Sequence, residues 1–270
     1  MISIVVAEQE PRGFGILEEF AAQAEALGGE VLLATSREED SLPIANVRRI
    51  QARSDSLVPE LWRDGLREAK NPFVALTTAT MRPRANWLKA LMDAMNETGA
   101  LAVGGSILPA AGLRPLDSAL YLARYANYAN PSTKTWPAGE NAIYRREHLM
   151  RLERIWSTGF WETEVYRFLS SENIGLERKA VLEYSGGAEW RSTLARRFRH
   201  GKRYGSTRGK SRLRALAAPL TPAILGFRTL RVLVGGPSPA GLDLRAFPAW
   251  LAVTTAWSIG EGLGLATRSA

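Results

Sequence analysis

Residues 73–88 read FVALTTATMRPRANWL. The first six are all apolar or β-branched and suit a strand covered on both faces; a turn follows, and Asn86 precedes the apolar start of a helix reaching Glu97. Strand, turn and helix in this order make half of a βα unit, and they set the reading of the chain around them. Thr77, Thr78 and Thr80 fall at the carboxyl end of the strand, the edge at which parallel sheets bind ligands. Threonine hydroxyls hydrogen-bond phosphate or ribose, but they are poor ligands for magnesium or manganese without carboxylates beside them. Taken alone, a threonine-rich turn leading into a helix is the simpler explanation.

The same rhythm runs outward on both sides. Ile2–Ala7 is a β-branched apolar run with one serine, and Phe14, Leu17, Ala21, Ala24 and Leu27 recur at helical spacing until Gly28-Gly29 stops them. Val31–Thr35 and Asn46–Gln51 read as strands, Leu57–Ala69 as a helix, and Ala100–Leu108 as a strand interrupted by Gly104-Gly105. Short apolar strands alternating with amphipathic helices predict an α/β fold whose mostly parallel sheet is flanked by helices. Beyond residue 110 the spacing predicts helices over 116–128, 147–154, 162–171 and 190–204, with strands over 141–145 and 176–184. The uncharged runs Ala215–Phe227 and Ala246–Gly260 carry internal prolines or glycine and fall short of the roughly 20 residues that cross a bilayer. The expected division is a domain over 1–210 and a hydrophobic helical extension over 211–270.

Composition narrows the function. The chain of 270 residues is 46% apolar and 23% charged, which excludes general disorder, and its lack of cysteine excludes disulfides, thiolate metal sites and cysteine nucleophiles. The first residues, MISIVVAEQE, read as a strand and not a signal peptide, so a cytoplasmic location is expected. Between Arg191 and Leu242 there are twelve basic residues and no acidic one, although the whole chain is only +8. A block of this kind expects a polyanionic partner: phosphates of a substrate, an anionic membrane surface or nucleic acid. The βα half offers nothing toward nucleic acid, which ranks last. The apolar runs that follow favour peripheral attachment to the cytoplasmic face of a membrane.

Two further segments carry candidate chemistry. In GFWETEV, residues 159–165, Glu162 and Glu164 open a helix, where the helix dipole favours the ionised form that a general base requires. Ordinary enrichment of acids in a first turn accounts for the same pattern. In RRFRHGKRYGSTRGK, residues 196–210, Arg199, His200, Arg203 and Arg208 crowd around Gly201 and Gly205; guanidinium groups grip phosphate oxygens, and glycines admit close backbone approach. Gly139-Glu140-Asn141 has the look of a ligand-facing turn. The two histidines, His148 and His200, give little basis for a metal site, and no phosphate-binding glycine loop follows the first strand.

In order and spacing, ISIVVA, the strand tip followed by RPRANWL, AVGGSILP, GENAIYRREHL, GFWETEV with RFLSSENIGLE, and the terminal AWSIGEGLG resemble the family 2 glycosyltransferases of GT-A fold. GENAIYRREHL is similar to the family's G-x-N-x-x-x-R-R segment. The resemblance implies a nucleotide-sugar donor and transfer to an acceptor hydroxyl with inversion, the acceptor being a glycan, lipid or small molecule. It places the base at Glu162, with Glu164 as the alternative, and acceptor contacts at Gly139, Glu140, Asn141 and Trp161. Thr163 stands where the family has aspartate. Thr78-Ala79-Thr80 replaces its D-x-D, so the Mg or Mn ion that the family uses finds no support at the tip. No metal ligands or other cofactors are assigned, and Thr78, Thr80, Arg199, His200, Arg203 and Arg208 are the expected phosphate and nucleotide-sugar contacts. The alternative expectation is an inactive glycosyltransferase-like binding or scaffolding protein.

Overall fold

The computed structural model describes residues 1–10, 15–37, 44–131, 136–169, 173–208, 220, 222–224, 226 and 245–267. The expected domain boundary at 210 and most of the 215–227 run lie outside these residues. The chain forms two compact units, one of residues 1–108 and 128–184, the other of 109–127 and 185–270.

The first unit is built on strands β1 (Ile2–Glu8), β2 (Glu30–Thr35), β3 (Val47–Gln51), β4 (Phe73–Thr78), β5 (Met81–Pro83), β6 (Ala102–Pro109), β7 (Ala142–Arg145) and β8 (Ile174–Tyr184). They form one sheet in the order β3-β2-β1-β4-β7-β6-β8-β5. The run β3-β2-β1-β4 is parallel, and β7 pairs antiparallel with both β4 and β6. The expected α/β sheet is the one observed, and its parallel part is the half with the strongest βα rhythm in sequence. Every residue of β1 is buried, as a strand covered on both faces requires.

Helices α1 (Gly15–Glu25), α2 (Val58–Glu68) and α3 (Trp87–Thr98) flank the sheet, followed in this unit by the short α5 (Arg146–Arg151), α6 (Glu153–Trp156) and α7 (Glu162–Tyr166), while α4 (Pro115–Arg124) belongs to the second unit. The start of α2 is fixed by Pro59 in its first turn and by Glu60, whose carboxylate accepts the Leu57 N–H. The glycine at the end of α1 does what its sequence promised: Gly28 has φ +64°. Strand β5 was not expected, because a three-residue strand containing Pro83 looks like a turn. Met81 and Pro83 pair with Tyr184 and Leu182 of β8. Since the three residues from Thr78 to Met81 reach at most about 10 Å, β8 must curve until its last residues lie beside the tip of β4.

The second unit packs α4, α8 (Trp190–Thr207) and α9 (Ala246–Ala266). Helix α9 is longer than the predicted uncharged run because Glu261 lies inside it, buried and paired with Arg208 at 3.4 Å. Among the described residues no helix is long and apolar enough to cross a membrane. The two long helices meet at backbone distance. A Cβ on Gly201 or Gly205 would lie 2.1 Å from the Trp257 carbonyl oxygen or 2.4 Å from that of Glu261. One on Gly260 or Gly264 would lie 2.1 or 2.0 Å from the carbonyl oxygens of Phe198 or Lys202. Both helices thus carry glycines four apart on the contacting face. Gly201 and Gly205, read in sequence as room for a ligand, make room for α9.

Candidate active site

The site is assembled at the carboxyl edge of the parallel strands, around a tryptophan on α2. Trp62 is buried, and its indole N–H donates to the Thr77 carbonyl at the end of β4, 2.7 Å away. The six-membered ring of the same indole packs on Gly139, where a Cβ would come within 2.9 Å of it and 3.4 Å of the Glu162 Cβ. A glycine is required there for steric reasons, and its absent side chain lets the Gly139–Asn141 turn close onto the start of α7. Trp62 therefore ties together three expected site segments: the strand tip, the glycine turn and the acid helix. Helix α7 is anchored from behind by the Phe160 N–H bond to the Pro59 carbonyl, 2.7 Å. Trp62 was not singled out in sequence; the available signal was a tryptophan on the apolar face of α2, whose N–H needs an acceptor once buried.

Each candidate residue has a definite setting in the first unit. Asn141 is fully buried, and its side chain is wholly engaged: the amide donates to the Ser106 and Ala180 carbonyls at 2.7 and 3.1 Å and the oxygen accepts the Trp87 indole N–H at 2.8 Å. It joins β6, β8 and α3, so its service to the site is to hold the turn. Glu140 is buried beside it, and Trp161 is buried at the cap of α7. Glu164 is held by Arg167 at 2.7 Å. The hydroxyls of Thr78 and Thr80 lie 2.8 Å apart in a mutual hydrogen bond, and the buried Thr77 hydroxyl has no partner among the described residues.

The electrostatics of Glu140 and Glu162 are recorded by two tyrosines. Tyr144 and Tyr166 stack with centroids 6.2 Å apart and share a 2.7 Å hydroxyl hydrogen bond. Burial pushes the Tyr144 phenol far above its ordinary value; the bond to Tyr166 opposes this, while Glu162 and Glu140 add to it. Burial likewise raises Tyr166, with Tyr144 and Glu162 contributing. Both phenols stay neutral near pH 7. Trp136 rests against Tyr166 at 5.8 Å and is itself exposed.

The strand tip does not suit a divalent ion. Among the described residues no three acidic or histidine side chains could hold one, and the threonine hydroxyls are turned to each other. Glu8, at the end of β1, is paired with Arg37 at 3.9 Å.

The expected phosphate contacts on α8 belong to the second unit. Arg208 pairs with Glu261 and lies over the Tyr204 ring at 5.3 Å. His200 accepts the Trp257 indole N–H at 3.4 Å; desolvation, and after it the Arg197 and Arg124 charges, hold it well below the usual imidazole value. It is neutral near pH 7, without the charge that had suggested phosphate binding. Arg199 is exposed.

No protein-family model matches the sequence, and no curated protein matches it. Among solved structures, the chain is similar to a mannosyltransferase from Pyrobaculum calidifontis in complex with GDP-Man and Mn2+, with 15% identity over 96% of this chain and 86% of that one and a TM-score of 0.51. TarS of S. aureus in complex with UDP-GlcNAc aligns over 92% of this chain and 78% of its own at 14% identity and TM-score 0.49. Glucosyl-3-phosphoglycerate synthase from Mycobacterium tuberculosis aligns over 72% and 74% at 15% identity and TM-score 0.47. The likeness to the first is one of fold, and the GT-A-like architecture expected from the sequence is the architecture found.

Proposed function

We propose that the protein is an inverting glycosyltransferase using a nucleotide-sugar donor. The observation that carries this reading is the meeting of Trp62, Gly139 and Glu162 at the carboxyl edge of the sheet, in a fold similar to that of a mannosyltransferase described with GDP-Man. In the proposed reaction the Glu162 carboxylate takes the proton of an acceptor hydroxyl. The freed oxygen attacks the anomeric carbon from the face opposite the diphosphate, the bond to the diphosphate breaks, and the nucleoside diphosphate leaves with the electron pair. Glu162 is preferred to Glu164 because its Cβ lies beside Gly139, where the glycine turn meets the start of α7. Charge alone supports Arg199 and Arg203 as phosphate ligands; Arg208 and His200 are weaker candidates, being engaged by Glu261 and Trp257.

The test is release of nucleoside diphosphate across a panel of nucleotide sugars. Glu162→Gln is expected to lower turnover by roughly 10²–10⁴-fold while donor binding persists. Equal turnover in wild type and variant removes Glu162 as the base, and failure of every nucleotide sugar to bind removes the enzyme reading in favour of a binding or scaffolding role. The second part of the proposal is peripheral attachment to an anionic membrane, supported by exposed Phe247, Leu251, Ile259 and Leu263 on α9 and by the basic residues of α8 in the same unit.

A further inference from the structure

Strands β4 and β7 have a second end. The pairing of Phe73 with Arg145 sets the segment Lys70–Phe73, which enters β4, beside Arg145–Arg151, which leaves β7, at the edge of the sheet opposite the threonines. The two segments are stitched by the Arg146 N–H bond to the Pro72 carbonyl, 2.8 Å. Between them is a cavity of about 670 Å3 whose lining includes Lys70, Arg145, Arg146, Glu147, His148 and Arg151. A space of this size suits a small molecule.

The lining is not uniformly free to bind. The guanidinium of Arg145 is committed to the Ala100 and Met95 carbonyls and to the Phe73 ring, and Arg151 is paired with Glu147, the one acid of the lining. Among the described residues Lys70 and Arg146 pair with no acid; Lys70 is exposed and Arg146 half-buried. Two buried nitrogens, Arg146 Nε and His148 Nδ1, make no hydrogen bond among the described residues. Buried polar atoms are nearly always satisfied, and an exception at the wall of a cavity asks for a bound partner. Excess positive charge, planar donors and the lack of a free acid select the partner's chemistry: an oxyanion with several acceptor oxygens.

We propose that this cavity binds a small phosphate-bearing anion through Lys70, Arg146 and His148. The site is separate from the glycosyl-transfer reading, which it neither uses nor requires.

The chain has two histidines, so the imidazole proton spectrum of the intact protein gives a local reporter for the cavity and an internal control in His200. His148→Gln assigns the two signals. On titration with inorganic pyrophosphate the His148 signal is expected to shift saturably while that of His200 stays in place. In Lys70→Ala/Arg146→Ala the midpoint moves to at least about tenfold higher concentration. Arg154→Ala, which removes the same kind of charge outside the lining, leaves it unchanged. The single variant Arg146→Gln repeats the test if the double variant loses its native His200 signal. A stationary His148 signal, an unchanged midpoint in both cavity variants, or an equal loss in Arg154→Ala overturns the proposal.

Discussion

Trp62 donates its indole N–H to the carbonyl of Thr77 across 2.7 Å, joining a helix on one side of the sheet to the end of the central strand β4. The same indole ring sets the position of Gly139. Trp62→Phe keeps most of the ring and deletes the donor; the expected destabilisation is about 1–2 kcal/mol by urea denaturation. Trp62→Ala also empties the space and is expected to cost about 3–5 kcal/mol. A phenylalanine variant as stable as wild type would show that the bond does not hold the tip.

The glycine contacts between α8 and α9 predict a steep penalty for one methyl group. Gly201→Ala and Gly260→Ala each force a Cβ onto a backbone oxygen of the other helix, and neither backbone can move without the whole helix. A loss of about 1–3 kcal/mol or more is expected for each. Gly15→Ala is the control: its new Cβ meets nothing within 4 Å, so the gain in helix preference leaves stability unchanged or about 0.4–1 kcal/mol higher. Thermal melts that treat the three variants alike would refute the close approach of the helices.

His200 gives a pH dependence of known sign. Its pKa in the folded protein lies below that in the unfolded chain, so within the interval between them the unfolded state binds more protons. Its contribution is complete above the unfolded value, roughly 6.5, and is lost as the pH falls below it. Denaturation midpoints should drop from about pH 7.5 to about pH 5.5, and His200→Gln should reduce that drop. A variant whose pH profile superimposes on the wild type would exclude His200 as its source.

Attachment through α9 predicts cosedimentation with vesicles rich in anionic phospholipid and little with purely zwitterionic ones. Phe247→Ser/Leu251→Ser removes two exposed apolar side chains and is expected to weaken vesicle binding by roughly a hundredfold or more at constant salt, since each buried side chain of this kind is worth roughly 1.5–3 kcal/mol. Equal binding by wild type and variant would assign attachment, if any, to charge alone.

Much of the first unit was legible because its strands are short apolar runs bounded by helix stops, a pattern dictated by burial on both faces. The pairing of the acid helix with the glycine turn was legible only as an order of motifs; their contact depends on Trp62, a long-range partner that local periodicity cannot reveal. The misreading of Gly201 and Gly205 has a clear origin. Beside arginines, a glycine suggests ligand approach, and only the matching four-residue spacing of Gly260 and Gly264 some way down the chain points to a helix pair. The full length of α9 was hidden for a related reason: Glu261 looks like the end of an apolar run until Arg208 is found opposite it.

The glycine-lined seam also governs how the charges of α8 are displayed. Two helices in backbone contact have few alternative registers, because a slide by one residue would set a side chain where only a hydrogen atom fits. The cations of α8 are therefore carried on a stiff rail instead of a pliable arm. Whatever anion they meet encounters an array whose spacing was fixed during folding, and little backbone entropy is left to lose on binding.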